Sequence, residues 1–321
     1  MKRLALVLPV LLVVGAAFGG GLQKEQVPAG AKWVAHLDVE ALVNSQLGQF
    51  LLKQLAAEGV DEKIKQFAEV FGFDPVKDLK SITAYGNEYV EEHGVAILSG
   101  TVNREKILAL LEKNEGHKET KYGEITLHQW AEKKTEAVLT RFGCFYGDDL
   151  TVIASSMELL KAAVDVLDKK ADSLAKGDLA AVLPVPSVGS IAMIAAQDIV
   201  PKENDPQAAM VKKLQAISAE IGEANKSLYG KIVLVTRNAK DAEDIRKVID
   251  GLLAIVSLAG AQAADSDATK TQVLAMLKQI QVSGKEQVVN IEASWDVAQV
   301  TALLEQLAAA KKAKVKVDVQ K

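Results

Sequence analysis

The stretch Gly94-Val-Ala-Ile-Leu-Ser-Gly-Thr-Val-Asn-Arg-Glu-Lys-Ile-Leu108 predicts a short apolar strand followed at once by a helix. Asn103 is a residue type that caps helices, and a charged amphipathic segment follows it. The stretch Gly230-Lys-Ile-Val-Leu-Val-Thr-Arg-Asn-Ala-Lys-Asp-Ala-Glu-Asp244 has the same pattern. A second pair, Thr151–Ser156 and Asn290–Asp296, follows in the same order. Two matches in one order indicate two diverged repeats.

The remaining strand and helix segments follow each other in mixed order, without strict β-α-β alternation. Neighbouring strand segments are joined by short polar turns such as Gly147-Asp148-Asp149, which is typical of antiparallel hairpins. The sequence therefore predicts an α+β fold, with mainly antiparallel sheets and helices packed on one face.

Composition shifts divide the chain into four parts. Residues 1–22 are predicted to be a signal peptide, and residues 27–170 an α+β domain. A Lys/Asp/Ala stretch and Pro184-Val-Pro186 predict a linker over 171–186. Residues 187–321 are predicted to be a second α+β domain with a basic C-terminal tail.

The N-terminus has the pattern of an export signal. Lys2 and Arg3 precede an uncharged stretch from Leu4 to Leu22 that ends in small residues, as signal peptidase prefers. We expect a bacterial protein that is periplasmic or secreted, with no membrane span after cleavage. The alternative is an uncleaved anchor, because a stretch of this length would barely span a bilayer core of about 30 Å.

Charge and cysteine content exclude several classes of protein. The chain has 38 basic and 42 acidic residues, a net charge of −4, so we expect no nucleic-acid partner. A single cysteine, Cys144, excludes a disulfide framework, a four-cysteine zinc site and an iron–sulfur cluster. Cys144 lies in an apolar run, which predicts a buried, inert thiol.

Two further segments, one in each half, are given a local structure. Met210, Leu214, Ile217 and Ile221 recur at helical spacing after Asp205-Pro206, which predicts a helix that begins there. By contrast, the residues from Lys113 to Lys121 in the first half are predicted to be a charged loop.

No catalytic, cofactor-binding or metal site is predicted. The chain lacks a zinc-protease motif, a nucleophile elbow and a phosphate loop. His36 and Asp38 share one strand face and could join a distant metal ligand, but metal sites usually need three convergent ligands. We therefore prefer the alternative, in which Asp38 caps a helix and His36 is a surface or rim residue. The pairs Glu91-Glu92 and Asp148-Asp149 are predicted to be solvated turns.

Two C-terminal features have more than one interpretation. The helix Val248–Gly260 is apolar almost all round, which predicts burial in the core. Its alternative is a docking surface, for a partner or a lipid, that is revealed when the loop Gln262–Thr269 moves. The tail Lys311–Lys321 alternates lysine and valine, which favours a short edge strand or a frayed tail over an electrostatic tether to envelope polymers.

Two stretches of the sequence resemble those of a known group of proteins. They are Val34-Ala-His-Leu-Asp-Val-Glu-Ala-Leu-Val-Asn-Ser-Gln-Leu-Gly-Gln-Phe50 and Phe71-Gly-Phe-Asp-Pro-Val-Lys-Asp-Leu-Lys-Ser-Ile-Thr-Ala-Tyr-Gly86. They resemble uncharacterised exported bacterial proteins that have a signal peptide and two α+β halves. The shared residues are caps, turns and core positions, so the resemblance implies a fold and no activity, cofactor or site residue.

Three functions are open at this point. The preferred hypothesis is an exported, non-enzymatic binding or structural protein of the bacterial envelope or extracellular space, whose partner is an unknown envelope or extracellular protein or polymer. The first alternative is a small-ligand or lipid carrier, which predicts that the helix Val248–Gly260 lines an apolar pocket. The second is a hydrolase, which predicts a cleft where one of the four histidines (His36, His93, His117, His128) meets an acid or a hydroxyl.

Overall fold

The computed structural model describes residues 21–134, 137–184, 186–201, 208–263 and 268–319; at 259–263, 268 and 310–319 it describes the backbone alone. Nearly all of the predicted signal peptide, the predicted helix start at Asp205-Pro206 and part of the predicted loop Gln262–Thr269 lie outside these residues.

The elements of the first half alternate irregularly between strands and helices. In chain order they are β1 (Trp33–Asp38), α1 (Val39–Asn44), α2 (Gln46–Ala57), α3 (Val60–Phe71), β2 (Leu79–Gly86), β3 (Val95–Gly100), α4 (Arg104–Glu112), β4 (Lys118–Tyr122), β5 (Ile125–Lys133), β6 (Val138–Tyr146), β7 (Leu150–Ala154) and α5 (Met157–Leu167).

The second half continues in the same manner. Its elements are β8 (Ser190–Gln197), α6 (Ala208–Val211), β9 (Leu214–Ala224), β10 (Ser227–Thr236), α7 (Ala239–Ala263), α8 (Ala268–Leu277), β11 (Gln281–Lys285), β12 (Val288–Asp296) and α9 (Val297–Val319).

The strands of the described residues form one sheet in the order β11-β12-β10-β9-β8-β1-β2-β3-β7-β6-β5-β4, and each pair is antiparallel. The predicted α+β class with antiparallel pairing is confirmed. The pair β1–β8 joins the strands of 27–170 to those of 187–321, with Val34 opposite Ala195. From this pair, the series β1-β2-β3-β7 and β8-β9-β10-β12 run outward in matching order. The predicted duplication stays a hypothesis.

The helices cover the two faces of the sheet unequally. Because side chains alternate along a strand, Leu37 and Ile82 lie on one face, here called face 1, while Val34 and Tyr85 lie on the other, face 2. Face 1 carries most of the helices: its strand residues pack against residues of α1 to α4, α7 and α9. Face 2 carries α5, whose buried Leu160 belongs to the largest core cluster.

The segment predicted as a linker, 171–186, contributes to the core of face 2. Leu174 and Leu179 lie in two short 3-10 turns and are fully buried, and Leu183 packs beside them. Leu174 also donates its backbone N–H to the carbonyl of Val27 at 2.6 Å. The segment is therefore held to the sheet by apolar packing and by backbone pairing.

The helix predicted through Leu214 and Ile217 is wrong, because these residues lie in strand β9. Every second residue from Leu214 to Glu220 is buried on that strand, while Ile217 belongs to the opposite face. The stretch fits helical spacing and strict alternation equally well, and pairing with β8 and β10 decides between them. Part of the predicted charged loop is likewise a strand, β4, at the sheet edge.

The edge strand predicted for the C-terminal tail is also wrong. The backbone is helical to Val319, so the tail residues 311–319 continue α9, and residues 320–321 lie outside the described part. Val297 and Val300 anchor the first turn of α9 in the core. Alanine and lysine are strong helix formers, and adding residues to an anchored helix avoids the cost of nucleation.

Candidate functional site

An apolar cleft of about 390 Å³ lies over face 1 in the second half. Its floor consists of two rows of side chains that cross strands β8, β9, β10 and β12. The register places Ala192, Ile221, Gly230 and Ala293 in one row, and Ile194, Ala219, Ile232 and Ile291 in the next. Trp295 and Ile280 complete the apolar lining.

Small residues and a gap between helices create the cleft. On one side of the floor, α2 and α9 pack near Ile221 and Trp295. On the other side, α7 packs on Leu234 and Val289. Between them Ile194 is 52% exposed, although it lies on a central strand. A Cβ added to Gly230 would meet nothing within 4 Å, so the missing side chain contributes open space.

The side chains that line the cleft offer hydrocarbon and few polar groups. Lys231 and Glu220 border it through their backbone, because their side chains alternate onto face 2. There Glu220 accepts from the N–H of Ser187 at 2.8 Å, and the Lys231 ammonium donates to the Ser187 hydroxyl at 2.7 Å. The Trp295 indole N–H donates to a backbone carbonyl at 2.9 Å, so the ring presents its apolar surface. The cleft therefore favours an apolar ligand.

The predicted burial of the helix Val248–Gly260 is wrong for most of its described side chains. Val248, Leu252, Ile255 and Leu258 are 46, 56, 66 and 66% exposed. Among the described side chains of α7, Ala242, Ile245 and Ile249 pack on the sheet. These four exposed side chains form an apolar surface on α7, which is the feature that the alternative interpretation, a docking surface, requires. None of these four exposed residues lines the cleft, contrary to the expectation of the carrier hypothesis.

His36 and Asp38 are buried, so His36 is not an exposed surface residue, although both residues border a pocket. The two residues are 6% and 4% exposed, and His36 Nδ1 is hydrogen-bonded to Thr83 Oγ1 at 2.9 Å. Asp38 occupies the position before α1, but its side chain does not cap the helix. Among the described residues, no group of three metal-ligating side chains includes either residue. His36 does meet a hydroxyl, as the hydrolase hypothesis requires of one histidine.

Cys144 is buried, as predicted. It is 3% exposed in the core of face 2, and burial raises the pKa of its thiol to about 12. The nucleophilic form of cysteine is the thiolate, so the raised pKa leaves this side chain inert at neutral pH.

Both acidic pairs are exposed in turns, as predicted: Asp148 and Asp149 between β6 and β7, and Glu91 and Glu92 between β2 and β3. Glu92 also forms ion pairs with Lys134 and, at 2.9 Å, with Arg141. The hydrogen bond from Lys134, followed by that from Arg141, holds the pKa of the Glu92 carboxyl below its usual value.

The structure brings together three side chains that the sequence did not connect. His117, Glu119 and His128 meet on the hairpin β4–β5, with His117 Nε2 3.2 Å from His128 Nδ1. Glu119 Oε1 lies 3.5 Å from His128 Nδ1 and 4.0 Å from His117 Nε2. Burial lowers the pKa of His128. Alternation in His117-x-Glu119, followed by the turn glycine Gly123, is the signal that would have revealed the hairpin.

Comparisons with known proteins do not indicate a function for this chain. No family model matches the chain, and no curated protein matches it in sequence. The chain is similar to the structure of TP0453 in crystal form I, with 11% identity and a TM-score of 0.42, over 90% of this chain and 98% of that one. Crystal form III gives 10% identity and a TM-score of 0.41, over 89% and 99%. These values are too low to bear on function.

Proposed function

We propose that this chain is an exported, non-enzymatic binding protein of the bacterial envelope or extracellular space that holds the hydrocarbon chain of an amphiphile. The observation that carries the proposal is the apolar cleft on face 1. Its volume, about 390 Å³, falls within the range of small-molecule sites, roughly 300–1,000 Å³. The N-terminal pattern of an export signal supports the location.

The chemistry of the lining favours a hydrocarbon over a polar ligand. A polar ligand would lose its hydrogen bonds to water and gain few in the cleft, at a cost of about 1–3 kcal/mol per group. A hydrocarbon chain would instead gain about 25 cal/mol for each Å² that it buries. An amphiphile fits this balance, because its headgroup can remain in water while its chain lies on Ile194 and Ile232.

Two further observations support a binding role. The exposed side chains of α7 form an apolar surface of a kind that marks contact with proteins or lipids. Among the described residues that line the cleft, no nucleophile is paired with a general base, which supports a role without catalysis. No helix within the described residues has the length and hydropathy needed to cross a bilayer.

We expect a fluorescent polyene fatty acid to bind the protein saturably with a stoichiometry of one. Equilibrium titration monitored by probe fluorescence measures this binding. Unlabelled palmitate should displace the probe, and acetate, which has the same headgroup without the chain, should not. Absence of a saturable signal, or equal displacement by acetate and palmitate, would contradict the proposal.

A further inference from the structure

A second site lies at the far edge of the sheet, on the β4–β5 hairpin. Glu119 and His128 are directly opposite each other in the antiparallel pair, so their side chains share a face. His117 directly precedes β4, and its ring reaches the same point. Strand pairing therefore fixes Glu119 and His128, and the short turn around Gly123 fixes their register.

The distances between the three groups match those around a metal ion. Two nitrogen ligands each about 2.0–2.1 Å from a tetrahedral zinc ion are about 3.3–3.4 Å apart. His117 Nε2 and His128 Nδ1 are 3.2 Å apart. The Glu119 oxygen, at 3.5 and 4.0 Å from these nitrogens, needs only a small side-chain rotation to complete the group.

The two histidines are largely buried, whereas the glutamate is exposed to solvent. The side chains of His117 and His128 are 11% and 6% exposed, whereas that of Glu119 is 56% exposed. The two rings lie edge to edge and nearly in one plane, with an interplanar angle of 13° and centroids 5.5 Å apart, so each ring must turn slightly for both nitrogens to face a shared ion. Phe145 packs edge-on against His128. The imidazoles are thus held in place by packing, while the carboxylate side is open for an ion to enter.

We infer that His117, Glu119 and His128 form a binding site for a divalent transition-metal ion of the zinc class. Two imidazoles and one carboxylate suit zinc, copper or nickel, whereas calcium and magnesium prefer all-oxygen sites. Three protein ligands leave a fourth position for water or for an outside ligand. The ion would also join the edge strand β4 to β5 and thereby stabilise the hairpin.

Titration of the untagged full-length protein with Zn²⁺ alone, followed by calorimetry, tests this inference. We expect one ion per chain and a thermal midpoint that rises with Zn²⁺ concentration, because the ion binds the folded state. Co²⁺ in place of Zn²⁺ should give the visible absorption of a tetrahedral site. His117→Ala should weaken Zn²⁺ binding at least about 100-fold, and Glu119→Gln about tenfold or more.

His93→Ala is the matched control, because His93 also faces a carboxylate, that of Glu88, at 4.0 Å, but without a second histidine. This variant should bind Zn²⁺ as the unchanged protein does. Glu119 is mostly exposed, so Glu119→Gln should fold normally, which circular dichroism verifies. Failure of the unchanged protein to bind Zn²⁺, or equal binding by the His117→Ala and His93→Ala variants, would overturn the inference.

Discussion

Gly230→Leu is expected to abolish binding of the fatty acid probe while leaving the fold intact. Gly230 lies in β10 at the floor of the cleft, where an added Cβ meets nothing within 4 Å. A leucine there would occupy the space that the hydrocarbon chain needs. We expect the dissociation constant to rise at least about 100-fold, a loss of roughly 2.7 kcal/mol in binding free energy.

Stability should not fall in this variant, because glycine within a strand is itself unfavourable and the new side chain has room. Gly30→Leu is the matched control, since Gly30 also has nothing within 4 Å but lies in a turn away from the cleft. It should bind the probe normally. Unchanged binding by Gly230→Leu would place the ligand elsewhere, and unfolding of that variant would mean that the cleft is not open at Gly230.

Leu160→Ala is expected to lower the free energy of unfolding by about 2–5 kcal/mol. Leu160 is fully buried on α5, in the core cluster of face 2. Removing its side chain leaves a cavity in close-packed surroundings, which adds to the lost transfer free energy. Urea denaturation followed by circular dichroism measures the change.

Leu252→Ala makes the same chemical change on α7, where the leucine is 56% exposed. We expect its free energy of unfolding to stay within about 0.5 kcal/mol of the unchanged protein. A loss as large as that of Leu160→Ala would show that α7 is buried, as the sequence alone suggested. Comparison of the two variants therefore tests the exposure of this helix directly.

Local signals in the sequence were sufficient to predict many of the helices and strands. Asn103 was predicted to cap a helix, and its side chain accepts from the N–H of Lys106 at 3.0 Å. Strands such as β3 and β7 were predicted from short apolar runs bounded by turns. These features depend on neighbours within a few residues, so one sequence contains enough information to predict them.

The features that depend on distant partners were not predicted. The Leu214–Ala224 stretch fits a helix or a strand until β8 and β10 pair with it. The apolar composition of α7 was visible, but whether other elements cover it is decided by packing. The cleft depends on the gap between α2 and α7, which no local pattern encodes. The site at His117 was missed because strand β4 was interpreted as a loop.

Quenching of Trp295 fluorescence by a brominated fatty acid tests the central claim most directly, because bromine quenches at contact distance. Trp295 lines the cleft, whereas the other two tryptophans, Trp33 and Trp130, do not. We predict saturable quenching that persists when Trp33 and Trp130 are both replaced by phenylalanine, and that disappears in Gly230→Leu. Two results would contradict the assignment of the cleft as the ligand site. One is an absence of quenching when Trp33 and Trp130 are both replaced by phenylalanine, and the other is quenching in Trp295→Phe as strong as in the unchanged protein.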